Sequence, residues 1–181
     1  MTIVFYRTYS YEPFSRKLFN KPWGNFLNKP RHGGLWGCRG DEWKEWCEDN
    51  EFSHFNNQYF LWCFNQEAKI MYIDSYKDFI KYVKLYPDED QIYFREKTLD
   101  YNKIIEAGYD GVEVTWNAIW ESKESELIGL GIWDIPSVVA LNIDKVLVLN
   151  YGSLIGGKER DVQVYNDRCE QEQHQLCSEE V

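Results

Sequence analysis

Histidine is scarce in this chain, three in 181 residues at positions 32, 54 and 174, and their spacing matches no set of metal ligands. No metal site is therefore expected. The cysteines (38, 47, 63, 169 and 177) form no Cys-x-x-Cys pair, and their odd number leaves one over in any disulfide scheme. A reducing, cytoplasmic setting fits them better than an oxidising one. No charged-then-apolar leader opens the sequence, and no apolar run approaches the roughly 18 residues of a membrane span, so neither secretion nor membrane insertion is expected. Missing too are a Gly-x-x-x-x-Gly-Lys-Ser/Thr phosphate loop and a Gly-x-Ser-x-Gly elbow. Cys38 lies near His32 in sequence, but a Cys–His nucleophile pair needs closeness in space, which sequence proximity does not supply.

Basic residues are outnumbered, 20 against 30 acids, for a net charge of −10 and a pI near 4.8. That balance argues against general binding to nucleic-acid backbones. The distribution is uneven. Residues 1–40 hold seven basic side chains (Arg7, Arg16, Lys17, Lys21, Lys29, Arg31, Arg39) and one acid, Glu12, while the rest carries 13 basic and 29 acidic residues. A basic N-terminal lobe on an acidic body suggests a local anion site; a solvated face balancing the acidic remainder is the simpler alternative.

What the chain has in abundance is aromatic side chains, 17% of residues with 8 Trp, 13 Tyr and 10 Phe, more than a core of this size usually requires. Some should line a cleft or a contact surface. The most informative stretch is Ile3-Val-Phe-Tyr-Arg-Thr-Tyr9, which reads as a first strand and places Arg7 among apolar and aromatic neighbours. An unpaired buried guanidinium is costly, and a phosphate-bearing ligand is one way to satisfy its planar donor fork.

The pattern of elements points to α+β, with mostly antiparallel sheets. Strands are expected over 2–9, 58–64, 68–73, 91–95, 137–141 and 145–149, and over 109–114 as a turn leading into a strand, with 58–64 and 68–73 forming a hairpin. Helices are expected over 41–50, capped by Asp41; over 76–85, capped by Asp74-Ser75; and over 98–107, stopped by Gly108. Residues 10–40 read as a long, ordered loop packed by Phe14, Phe19, Trp23, Phe26 and Trp36. Residues 115–132 carry no clear pattern. The sequence divides into one domain over 1–155 and a polar, acidic tail over 156–181, expected to be mobile.

Four short blocks follow in order: Tyr6-Arg7-Thr8, Gly34-Leu35-Trp36, Tyr109-Asp110-Gly111, and Trp133-Asp134 ahead of Ser-Val-Val-Ala-Leu. This order resembles the ADP-ribosyltransferase fold family, and the Gly-Gly-Leu-Trp and Tyr-Asp-Gly blocks look like those of its small phage and bacterial members. The resemblance spans roughly residues 3–150. It implies a split β-sandwich with two or three helices, and NAD as co-substrate. It implies that Asp134 holds the ribose and stabilises developing positive charge, that Trp36 stacks on nicotinamide, and that Arg7 grips the diphosphate or the adjoining ribose. Tyr6, Thr8, Gly34, Leu35 and Arg31 would complete the cofactor contacts, with Lys29 or Arg39 assisting. Structural alternatives stand beside these roles: Asp134 capping a turn before Pro136, Trp36 as core, Arg7 paired with Asp110. The family's carboxylate is usually Glu, and Ile132 stands where arginine-modifying members have an acid, so an arginine acceptor is not expected. Glu121, Glu124 or Glu126 could take that place.

The expected activity is transfer of ADP-ribose from NAD to a macromolecular acceptor, a protein in the first instance. The competing readings are a non-catalytic interaction protein that keeps the fold and blocks a partner with its acidic face, and NAD hydrolysis with water as acceptor.

Overall fold

The computed structural model describes residues 4–9, 15–16, 19–26, 28–51, 58–89, 98–123, 130 and 133–153. The tail over 156–181, the expected strand at 91–95, and Ile132, Glu124 and Glu126 lie outside them. The described residues form an α+β fold with mostly antiparallel sheets. Strand β1 (Tyr6–Tyr9) is followed by the hairpin β2 (Trp23–Phe26) and β3 (Lys29–His32), then β4 (Leu35–Gly37) and α1 (Glu42–Asp49). Next come β5 (Gln58–Phe64), β6 (Ile70–Ile73), α2 (Tyr76–Leu85), β7 (Pro87–Asp88), β8 (Thr98–Leu99) and α3 (Tyr101–Glu106). The last elements are β9 (Gly111–Val114), α4 (Trp116–Lys123), β10 (Ser137–Ala140), a 3-10 turn over Ile143–Lys145, and β11 (Val146–Ser153).

Two sheets dominate. One has the order β1-β5-β11 and is antiparallel throughout; the other has the order β4-β10-β9-β6, antiparallel except for β6 beside β9. They meet at Arg7 and Cys38, whose backbones exchange hydrogen bonds of 2.7 and 3.0 Å just beyond the end of β4. The junction therefore carries Arg7 and the end of the Gly-Leu-Trp block on adjoining backbone.

Burial explains why β10 reads as a continuous apolar run. Val138 and Ala140 face the first sheet, packing with Tyr6, Phe60, Trp62 and Val146, while Val139 faces a second core with Met71, Ile73, Val112 and Val114. Alternate side chains of one strand thus enter two cores, as period-two geometry demands. Phe79 and Val83 of α2, Tyr101 and Ile104 of α3, and Ala118 and Ile119 of α4 close the second core.

Several expectations are corrected. The runs at 58–64 and 70–73 do not form a hairpin: β5 is the central strand of the first sheet, and β6 pairs in parallel with β9 in the second. The stretch 10–40 is more than a loop, since it holds the β2–β3 hairpin and β4. Helix α3 begins at Tyr101, with Thr98 and Leu99 paired as a strand against Pro87 and Asp88. The unassigned segment after residue 115 contains α4. No helix among the described residues is long and apolar enough to cross a membrane.

Candidate functional site

A cleft of about 360 Å³ opens where the two sheets meet. Strand β1 contributes Arg7, Thr8 and Tyr9; β3 contributes Lys29; β4 and the residue after it contribute Trp36, Gly37 and Cys38. Trp43 comes from the first turn of α1, and Trp133, Asp134, Ile135 and Ser137 come from the approach to β10 and its start. Its size lies in the range of small-molecule sites, about 300–1,000 Å³.

The turn between β2 and β3 holds one wall in place. Asn28 is fully buried with φ 68°, a left-handed conformation that Asn tolerates better than most residues. Its side-chain oxygen accepts the Leu99 amide at 2.9 Å, and its carbonyl accepts the Tyr101 hydroxyl at 3.0 Å and the Trp133 indole N–H at 2.9 Å. This fixes the hairpin, and hence Lys29, against Trp133, with the Lys29 ammonium 5.9 Å from the indole centroid. Burial pushes the Lys29 pKa down, and the Asp134 carboxylate opposes that shift.

Arg7 is mostly buried, 15% exposed at its side chain, and forms an ion pair with Asp41 through Nη1. Its guanidinium carbon also lies 5.2 Å from the Tyr59 ring centroid. The expected structural partner, Asp110, is engaged elsewhere, accepting the Lys69 amide at 2.9 Å and the Asn142 side-chain amide at 2.8 Å. Tyr9 donates its hydroxyl to the same Asp41 carboxylate at 2.7 Å. Burial pulls the Asp41 carboxyl upward, but the Tyr9 and Arg7 hydrogen bonds and the Arg7 charge outweigh it, leaving the pKa below the ordinary 3.8.

Trp36 is half-buried and serves two purposes. Its ring packs 5.3 Å from Trp133 and its N–H donates to the Gly33 carbonyl at 3.3 Å, while the same side chain lines the cleft. The Thr8 hydroxyl donates to the Trp36 carbonyl and accepts the Trp62 indole N–H at 2.8 Å. Asp134 is exposed, at the rim. Cys38 is buried, and burial first of all pushes its thiol up to about 11, the reverse of an activated nucleophile.

Arg7, Thr8, Trp36, Lys29 and Asp134 therefore line one cleft. Tyr6, Gly34, Leu35 and Arg31 do not. Leu35 packs on the inter-sheet core, Arg31 is exposed on β3, and Gly34 supports the turn before β4 with φ 80°. Glu121 lies on α4 and accepts the Tyr76 amide at 2.8 Å, away from the cleft lining.

Tyr6 belongs to a second cleft, of about 290 Å³, which shares Ser137 with the first. There Glu113 of β9, only 6% exposed, accepts the Tyr6 hydroxyl at 2.8 Å and the Arg39 Nε–H at 2.5 Å. Arg39 also stands over the Tyr72 ring, 5.8 Å from its centroid. Glu113 carries no role in the sequence expectations, although an acid within Gly-Val-Glu-Val poses the same question as Arg7 within β1. Tyr9, Trp43 and Trp133 line the first cleft without a role in the sequence expectations, and Asp41 bonds to two of its lining residues, Arg7 and Tyr9. Comparison of the chain with models of protein families, with curated proteins and with solved structures finds no match.

Proposed function

We propose that the chain is an NAD-dependent mono-ADP-ribosyltransferase acting on a macromolecular acceptor, with the first cleft as its NAD site. The observation that carries this reading is the convergence of Arg7, Trp36 and Asp134 on one concave site, although they lie far apart in the chain. A guanidinium suits phosphates, an indole face suits a planar cationic ring, and a carboxylate suits a ribose that gains positive charge as its bond to nicotinamide breaks. Lys29 adds a second cation near Asp134. Arg7 would hold the diphosphate end, Trp36 the base, and Asp134 the ribose hydroxyls, while Thr8, whose proton goes to the Trp36 carbonyl, braces that wall. The acceptor is a protein in this reading, since the chain's strong negative charge disfavours nucleic-acid backbones.

The test is transfer of labelled ADP-ribose from NAD to protein in a cell lysate, with NAD consumption followed in parallel. Wild type should label acceptors, and Asp134→Asn should lower the rate by two orders of magnitude or more, the scale of a lost transition-state contact. An intact NAD pool and no label with wild type would remove the catalytic reading.

One observation favours a second reading, a non-catalytic binding protein. The Arg7 charge is already answered within the chain by Asp41, and Asp134 is exposed. A partner captured from lysate that survives Asp134→Ala and dissociates as salt rises would support this alternative.

A further inference from the structure

Asp41 stands at the N-cap position of α1, yet its side chain makes no hydrogen bond to the helix. The carboxylate is spent on Arg7 and Tyr9 instead. Aspartate is among the best N-capping residues, normally accepting an amide hydrogen from the second or third helical residue, here Trp43 or Lys44. Its backbone, at φ −96° and ψ 8°, is also outside the extended region that a capping residue adopts. Glu42 does not take over that role, since its carboxylate accepts the Gly40 amide, ahead of the helix, at 2.7 Å. One carboxylate thus has two competing employments, and the one it currently serves sits at the cleft: Arg7, Tyr9 and Trp43 all line it.

We propose that Asp41 is an internal competitor for the anionic group of the ligand and so sets the anion specificity of the cleft. A diphosphate takes the Arg7 donors, and the released carboxylate turns to cap α1. The inference rests on the dinucleotide reading, which puts ligand phosphates at Arg7. A single negative charge arriving at Arg7 merely replaces the one it displaces. A multiply charged phosphate brings more charge than it removes, and the new cap offsets part of the lost ion pair. Affinity for phosphates in the wild type is accordingly held below what Arg7 alone would give.

Inorganic pyrophosphate titrated at low salt into the full chain, by calorimetry and by amide resonance shifts, tests this. Asp41→Asn keeps a good capping side chain without the charge and should bind pyrophosphate about five to ten times more tightly than wild type. Asp41→Ala should also bind more tightly than wild type, by about as much as the Asn variant, because in neither does the cap change on binding. Arg7→Gln should abolish the gain in the Asn background. In the wild type, saturation should move the Lys44 amide resonance as a cap forms, and in Asp41→Ala it should not. Unchanged or weaker binding by Asp41→Asn, with circular dichroism matching wild type, would overturn the proposal and make Asp41 a support for Arg7. So would the absence of pyrophosphate binding in every variant. NAD carried through the same series separates the two readings: enhanced pyrophosphate binding with no NAD binding in any variant sinks the dinucleotide reading alone.

Discussion

A charge inside an apolar strand has to be answered by another charge, and two such pairs organise this molecule. Arg7 on β1 is answered by Asp41, and Glu113 on β9 by Arg39 with the Tyr6 hydroxyl. The first charge was legible from Ile-Val-Phe-Tyr-Arg-Thr-Tyr; its partner was not, because Asp41 looks like a helix cap and Asp110 looked equally available. The pH dependence of the first pair follows from its sign. The folded-state pKa of Asp41 is below the ordinary 3.8, so the pair stabilises fully above that value and its contribution is lost as pH falls through the folded-state value. Asp41→Ala should lower stability by about 1 kcal/mol at pH 7, discounted for the partial exposure of the pair. Urea midpoints of variant and wild type should converge as pH is lowered below 3.8, and a gap of constant size would contradict this account. Cys38 supplies a second check at this scale. A buried thiol pushed up to about 11 should resist iodoacetamide at neutral pH in the folded chain. Rapid modification of Cys38 would reverse the conclusion that it is inert.

At the scale of elements, α1 and α2 make an informative contrast. Ser75 has extended backbone and accepts the Asp78 amide at 3.1 Å, a cap read correctly from the sequence, whereas Asp41 is diverted. Ser75→Ala should cost about 1 kcal/mol in urea unfolding, and no loss would mean that α2 is held by packing alone. The Gly33-Gly34 turn that delivers Trp36 to the cleft is equally specific, with both residues at positive φ. A Cβ at Gly34 would lie 2.5 Å from Val139 Cγ2, on the strand that Asp134 leads into. Gly34→Ala should therefore destabilise by about 2 kcal/mol or more, through backbone strain and overpacking together. A wild-type urea midpoint would show that the turn relaxes freely. The failed hairpin expectation has a physical cause. Two apolar runs joined by a short turn look the same whether the chain folds back or crosses to another sheet. The choice of β9 as partner for β6 depends on side chains some 40 positions away, beyond the reach of local pattern.

For the molecule as a whole, composition and periodicity were enough to reach α+β with mostly antiparallel sheet, because strand and helix periods are local properties. The meeting of β1 with the end of β4, which creates the cleft, is a single backbone bridge with no local signature. The resemblance carried by the short blocks implies roles for Arg7, Trp36 and Asp134, and these three side chains line one cleft. The same blocks also nominated Tyr6, which alternation along β1 sends to the second cleft with Glu113. Its neighbour Arg7 faces the first. The most direct measurement of the central claim is calorimetric titration of NAD into the full chain beside Arg7→Gln and Asp134→Asn, each checked for a wild-type circular-dichroism spectrum at the titration temperature. The account predicts saturable one-site binding to wild type, weakened at least tenfold by Arg7→Gln, a loss of about 1.4 kcal/mol. No saturable binding, or an affinity indifferent to both substitutions, would contradict it.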